Sequence, residues 1–324
     1  MMTIKFNAEV ASSLQWDFQV LQDDIEIKIG QNNIVKYSQE TLGETIWQYS
    51  TNNPDIENQN SNPYQVIERS NNSAYVLRYN TGEIWQINPM AENDVDFKIS
   101  EIDLSIFDAD GIPEMVAATI YNDILFVTLQ RLTFYSSDQD SYLIAINTVD
   151  NSFIDISPND DSTDALSLNI RNPKELALVN NELYIAGVGR WASGDSETQY
   201  TGGIEKINLD TFSTELVIDD GDQDTHPYGQ VYSVSVFEDS LVFTGYKGWK
   251  SVDTYIQSGD SDPVIFNESL NNKDIRFAKF DPSGQLWVGI ADAVNPRTLV
   301  YKKNENDEYE VVQTVLTTLL PNNI

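Results

Sequence analysis

At corresponding places in four repeating units, just past the second strand, a cation stands near an aromatic residue: Arg78-Tyr79, Arg131 with Tyr135, Arg190-Trp191, and Tyr246-Lys247 with Trp249. Lys and Arg number 19 against 51 Asp and Glu, a formal charge of −32, so a recurring cation is notable in so acidic a chain. Guanidinium or ammonium groups flanked by rings suit an anionic or planar ligand held in a focused pocket. The competing reading is that these cations cap strands and pair with nearby carboxylates. Their offsets from the preceding strand aromatic differ, as Tyr75 to Arg78 and Phe126 to Arg131 show.

Two acidic turns make the second candidate chemistry. Asp108-Ala-Asp110-Gly111 with Glu114, and Asp219-Asp220-Gly221-Asp222-Gln-Asp224, set oxygen ligands at short spacing around a glycine, which suits a hard cation such as Ca²⁺. Neither has the Glu spacing of an EF-hand loop, and Asp-Gly is also ordinary turn chemistry. His226, the one histidine, stands near Asp224 as a general-base candidate, although a lone His before proline is more often a loop residue. Asn71-Asn72-Ser73 and Asn267-Glu-Ser269 match the N-glycosylation pattern.

Composition removes several function classes. The absence of cysteine excludes disulfides, thiolate nucleophiles, iron–sulfur clusters and thiolate zinc sites, and one histidine argues against a multi-histidine metal site. A charge of −32 repels nucleic-acid phosphates and anionic lipid. The start MMTIKFNAEV lacks the basic and apolar regions of a signal peptide, and no apolar run reaches the ~20 residues of a membrane span. With 40% hydrophobic residues the chain can bury a core.

The elements that must position these residues repeat. A proline recurs as Asn62-Pro63, Ile112-Pro113, Asn172-Pro173 and His226-Pro227, at intervals of 50, 60 and 54 residues. After Pro63, period-two segments follow at 64–70, 74–79, 83–88 and 96–104, separated by Asn71-Asn72 and Thr81-Gly82. After Pro113 come EMVAATI, 124–130, 142–147, and either FIDIS or ALSLNI. After Pro173 come ELALV, 182–188, 203–208 and 214–218; after Pro227 come 231–237, 240–246 and a weaker pair around VDTYIQ and PVIF. Two further units, 14–50 and 274–316, lack the proline. Four antiparallel strands per unit at this period predict an all-β fold, a β-propeller of six readable blades forming one domain over 1–324. A seventh, diverged blade is the rival count, and 3–10 is an additional strand available to close the ring.

The order NPYQVIERSNNSAYVLRYNTGEIWQINP (62–89), with 103–132 after it, resembles the bacterial YVTN-type, YncE-like propeller repeat. That resemblance implies a propeller fold and a poorly characterised, exported or lipoprotein-like group, periplasmic, cell-surface or secreted. The lipidated cysteine of such proteins is missing here, which leaves a cytoplasmic place open. The group supplies no catalytic residues to carry over. The expected function is non-enzymatic binding of a small molecule or protein through the loops joining second to third strands; the alternative is a Ca²⁺-dependent propeller hydrolase or lactonase.

Overall fold

The computed structural model describes residues 18–21, 25–30, 32–38, 41, 44–133, 136–157, 163–191 and 197–317, with backbone course alone for 18–30. The expected strand at 3–10 and the start of the 14–50 unit lie outside the described residues.

Alternating apolar and polar residues between Asn-, Asp- and Gly-rich turns form strands throughout. The first sheet runs β1 (Phe18–Leu21), β2 (Ile25–Gly30), β3 (Asn33–Ser38) and β4 (Thr45–Ser50). The second holds β5 (Pro63–Ser70), β6 (Ser73–Arg78), β7 (Glu83–Ile87) and β8 (Lys98–Asp103). In the third, β9 (Met115–Tyr121), β10 (Ile124–Leu129) and β11 (Tyr142–Asn147) are followed by two short strands that share the fourth place. β12 (Phe153–Ile154) pairs with Ala145 and Ile146, and β13 (Leu166–Ser167) with Tyr142 and Leu143. The sequence left FIDIS and ALSLNI as alternatives; both contribute.

The fourth sheet is β14 (Pro173–Val179), β15 (Glu182–Gly187), β16 (Gly203–Asn208) and β17 (Thr214–Asp219). The fifth is β18 (Gln230–Phe237), β19 (Ser240–Gly248), β20 (Ser251–Ser258) and β21 (Val264–Ile265). The sixth is β22 (Ile275–Phe280), β23 (Leu286–Ile290), β24 (Arg297–Lys303) and β25 (Tyr309–Leu316). Each is an antiparallel meander, and the fold is a β-propeller of six blades.

The chain divides into two compact units, 1–131 with 144–155 and 132–143 with 156–324, the division falling inside β11. In each, apolar faces of consecutive sheets close on one another. In the first unit Ile34, Trp47, Val66, Val76, Trp85 and Phe97 form one such core; in the second, Ile204, Val231, Val234 and Phe243 form another.

The proline mark has a structural cause. Pro63 and Pro173 open the first strand of their sheets, where the missing N–H falls on an edge and costs no ladder bond. The preceding Asn62 and Asn172 take positive φ, 45° and 54°, a region Asn tolerates. One residue bulges after the first ladder pair, or in β18 after the second. The ladder passes from Pro63 to Gln65 skipping Tyr64, from Pro173 to Glu175 skipping Lys174, from Val231 to Ser233 skipping Tyr232, and from Ile275 to Phe277 skipping Arg276. A bulge re-aims the side chain it releases from the ladder.

Candidate functional site

In the first unit the expected ligand-binding residues are engaged with the protein itself. Arg78 is 1% exposed, donating from Nε to the Thr51 carbonyl at 2.8 Å, from Nη1 to Glu83 at 3.0 Å and from Nη2 to Gln59 at 3.1 Å. Its guanidinium lies over Trp85 at 4.1 Å, and burial pulls its pKa below the ordinary arginine value. Tyr79 donates to Gln130 at 2.7 Å and stacks on Tyr64. Arg131, at φ 56°, donates from Nε to the Phe107 carbonyl at 2.8 Å and lies 3.8 Å from Asp108 Oδ2. A residue expected to bind a ligand and one expected to bind a metal are thus partners of each other. Tyr135 lies outside the described residues.

The acidic turns hold their own backbone. Asp108 accepts from Asp110 N at 3.4 Å, Asp110 from Ile112 N at 2.8 Å, Asp219 from Gly221 N at 2.9 Å, and Asp222 from Asp224 N and Thr225 N at 2.9 and 2.7 Å. Glu114 sits at φ 46° where its carbonyl accepts from Gln130 N, and Asp224 is exposed. Among the described residues, no three His, Cys, Asp or Glu side chains are grouped to hold a metal ion.

The second unit assembles more. Arg190 Nη1 lies 3.0 Å from Asp138, while its buried Nε has no hydrogen-bond acceptor among the described residues. Trp191 packs edge-on against Tyr246 at 5.2 Å and Tyr232 at 6.4 Å between centroids. Three neighbouring elements meet in that contact: the loop after β15, the end of β19, and the bulge of β18. Gln230 supports it from below, donating to the Val188 and Arg190 carbonyls at 2.8 and 3.2 Å. Lys247 pairs with Asp253 at 3.1 Å, and Trp249 stands 84% exposed on the β19–β20 turn beside Lys250. Tyr232 is 42% exposed.

Beside this aromatic group, the loop before β16 is pinned by Asp220. Fully buried, Asp220 accepts Gly202 N on both oxygens at 3.1 Å, and burial, with the negative Asp219 adding to it, pushes its pKa up to about 7. Tyr200 stacks on His226 at 4.1 Å with planes 8° apart, and His226 Nδ1 meets the Asp222 carbonyl at 3.1 Å. The His226 ring therefore caps its loop, and its nearest described partners are a tyrosine ring and a carbonyl.

Two residues here escaped the sequence reading. Tyr232 and Lys174 are bulge residues of adjacent first strands, and Lys174 follows the strand-opening Pro173 as Tyr64 follows Pro63. That shared position after a strand's opening was visible in the repeat; the bulge itself was not.

Comparison with known proteins bears on the fold. No protein-family profile matches the chain, and no curated protein matches it in sequence. Solved structures do. The chain is similar to a streptogramin B lyase at 16% identity and TM-score 0.55, covering 84% of this chain and 74% of that one. It is also similar to the Pan2 WD40 domain of Neurospora crassa, at 9% identity and TM-score 0.56, covering 85% and 71%. KlAtg21, solved in complex with the coiled coil of AgAtg16, is similar at 11% identity and TM-score 0.53, covering 94% and 99%. All are β-propellers; at these identities the likeness is one of fold.

Proposed function

We propose that this protein is a non-enzymatic binding propeller of the YVTN-type, YncE-like group, engaging its ligand through the loops of the second unit. One observation carries the reading: Trp191, Tyr232 and Tyr246, from three separate elements, form a partly exposed aromatic group beside an arginine whose Nε has no acceptor among the described residues. Rings that stay partly open at a loop cluster, on a backbone held by Gln230 and Asp220, offer preorganised apolar contact area. Its structural neighbours, a coiled-coil-bound propeller and a lyase, show that this fold hosts both binding and chemistry; for the alternative, a calcium-dependent hydrolase, the described residues bring no three acidic side chains together. We place the protein at the bacterial cell envelope, on the repeat resemblance, and fractionation of native cells checks that.

The test is a fluorescence-based thermal-shift screen of a metabolite and peptide library, followed by titration of hits against Trp191→Ala and Tyr232→Ala. These variants are expected to weaken binding by about tenfold or more while leaving the melting temperature near that of the parent. Hits whose affinity neither substitution changes would remove the site from this face.

A further inference from the structure

Among the described cations of the second unit that make no ion pair, Lys250, Lys273 and Lys302 are exposed, whereas Lys174 is half-buried. Arg190, Lys206, Lys247, Lys279, Arg276 and Arg297 each lie within 4.0 Å of a carboxylate. Lys174 has no ion pair and no hydrogen bond among the described residues, in a chain with 51 acidic side chains. Its neighbour Glu175 is committed elsewhere, accepting from Val234 N on β18 at 3.2 Å and pairing with Lys279 on β22 at 2.5 Å. Yet Lys174 is only partly exposed, and burial alone, with no opposing carboxylate, draws its pKa below the ordinary lysine value.

Its place in the fold is as telling as its lack of a partner. First strands β14, β18 and β22 follow one another, β18 packing against both of the others, and each releases one residue close to its start: Lys174 and Arg276 after the first ladder pair, Tyr232 after the second. The braces between strands fix their relative height. Glu175 grips Val234, so Lys174 sits near the level of Tyr232; Ser235 accepts from Phe280 N at 2.9 Å, which sets β22 against β18. Three consecutive blades thereby present an ammonium, a phenol and a guanidinium from bulges near the start of their first strands. Arg276 spends one nitrogen on Asp274 at 3.0 Å, and Tyr232 meets Trp191. A partly desolvated ammonium without a counterion is costly to hold unless an anion completes it.

We propose that Lys174, with Tyr232 and Arg276, forms the seat for the anionic group (a carboxylate or phosphate) of a small molecule whose planar body rests on Trp191. This deepens the binding function proposed above and rests on it. It restores, at other residues, the anionic-and-planar ligand that the cation–aromatic pairs suggested: Arg78 and Arg131 are structural, and Lys174 is the recognition group.

The experiment uses the full chain in 150 mM salt, where exposed charges more than ~8 Å apart are largely screened. Isothermal titration is run with 1-naphthoate, with the uncharged 1-naphthalenemethanol and with inorganic phosphate, on the parent, Lys174→Met, Lys174→Arg and Trp191→Ala. Naphthoate is expected to bind the parent at least about tenfold more tightly than the alcohol. Lys174→Met removes that advantage while keeping the fold, Lys174→Arg keeps part of it, and Trp191→Ala weakens both aromatic probes; phosphate binding that Lys174→Met abolishes supports the anion seat directly. Equal binding of naphthoate and the alcohol, both lost in Trp191→Ala, overturns the anion seat and leaves the aromatic site standing. Binding untouched by either Lys174→Met or Trp191→Ala overturns both, and no binding of any anionic probe overturns the seat.

Discussion

Replacing Asp220 by Asn tests whether a buried carboxylate sets the pH dependence of the second unit. Asp220 is fully buried, and the Gly202 N–H reaches both of its oxygens. Its pKa rises from 3.8 to about 7 because burial penalises the charged form. The folded state therefore holds this proton more tightly than the unfolded chain does. That stabilisation is complete below pH ~4, fades as pH rises toward the folded value, and is gone above about 7. At about 1.4 kcal/mol per unit, the full swing is about 4 kcal/mol, of which about 2 to 3 fall between pH 5 and pH 8. Asparagine keeps an acceptor for Gly202 N–H and cannot ionise. Urea unfolding of both proteins at pH 5, 6, 7 and 8, followed by tryptophan fluorescence, should show the variant gaining on the parent by that amount as pH rises. Parallel stability profiles would refute the reasoning, because they would mean that Asp220 is charged in the fold, with solvent or a cation offsetting its burial.

Arg78→Ala should destabilise the first unit by about 3 kcal/mol or more, since it removes a buried cation that serves Thr51, Gln59 and Glu83 and covers Trp85. Arg78→Lys should recover only part, because one ammonium cannot span that fork; thermal melts compare the three, and a neutral Arg78→Ala would return Arg78 to the list of free recognition residues. Gly202→Ala should cut soluble yield and melting temperature sharply, because its Cβ would fall on the Gly187 carbonyl and the Gly189 amide, both backbone and unable to give way. A melt indistinguishable from the parent would show that the loops pinned by Asp220 are looser than drawn.

Much of the scaffold could be read from residue order. Alternation in YQVIERS, AYVLRY and EIWQIN became β5, β6 and β7 nearly as expected, because a strand's two faces are written locally in period two. The stretch VDTYIQ, which looked weak, is a full strand from Ser251 to Ser258: Val252 and Tyr255 are buried by packing the local pattern does not encode. The acidic turns were legible as turns, and their carboxylates do cap their own backbone, since Asx bonding acts within two or three residues.

Sequence by itself determined that this protein is a repeated β-meander with a strongly acidic surface, because hydrophobic period, turn residues and charge are properties of neighbouring positions. Tertiary structure alone decided which cations are spent. Arg131 finds Asp108 across 23 positions and Arg190 finds Asp138 across 52, whereas Lys174 meets no carboxylate among the described residues. It also decided the bulges at Lys174, Tyr232 and Arg276, for a bulge is a mismatch between two paired strands and exists in neither strand's sequence taken alone.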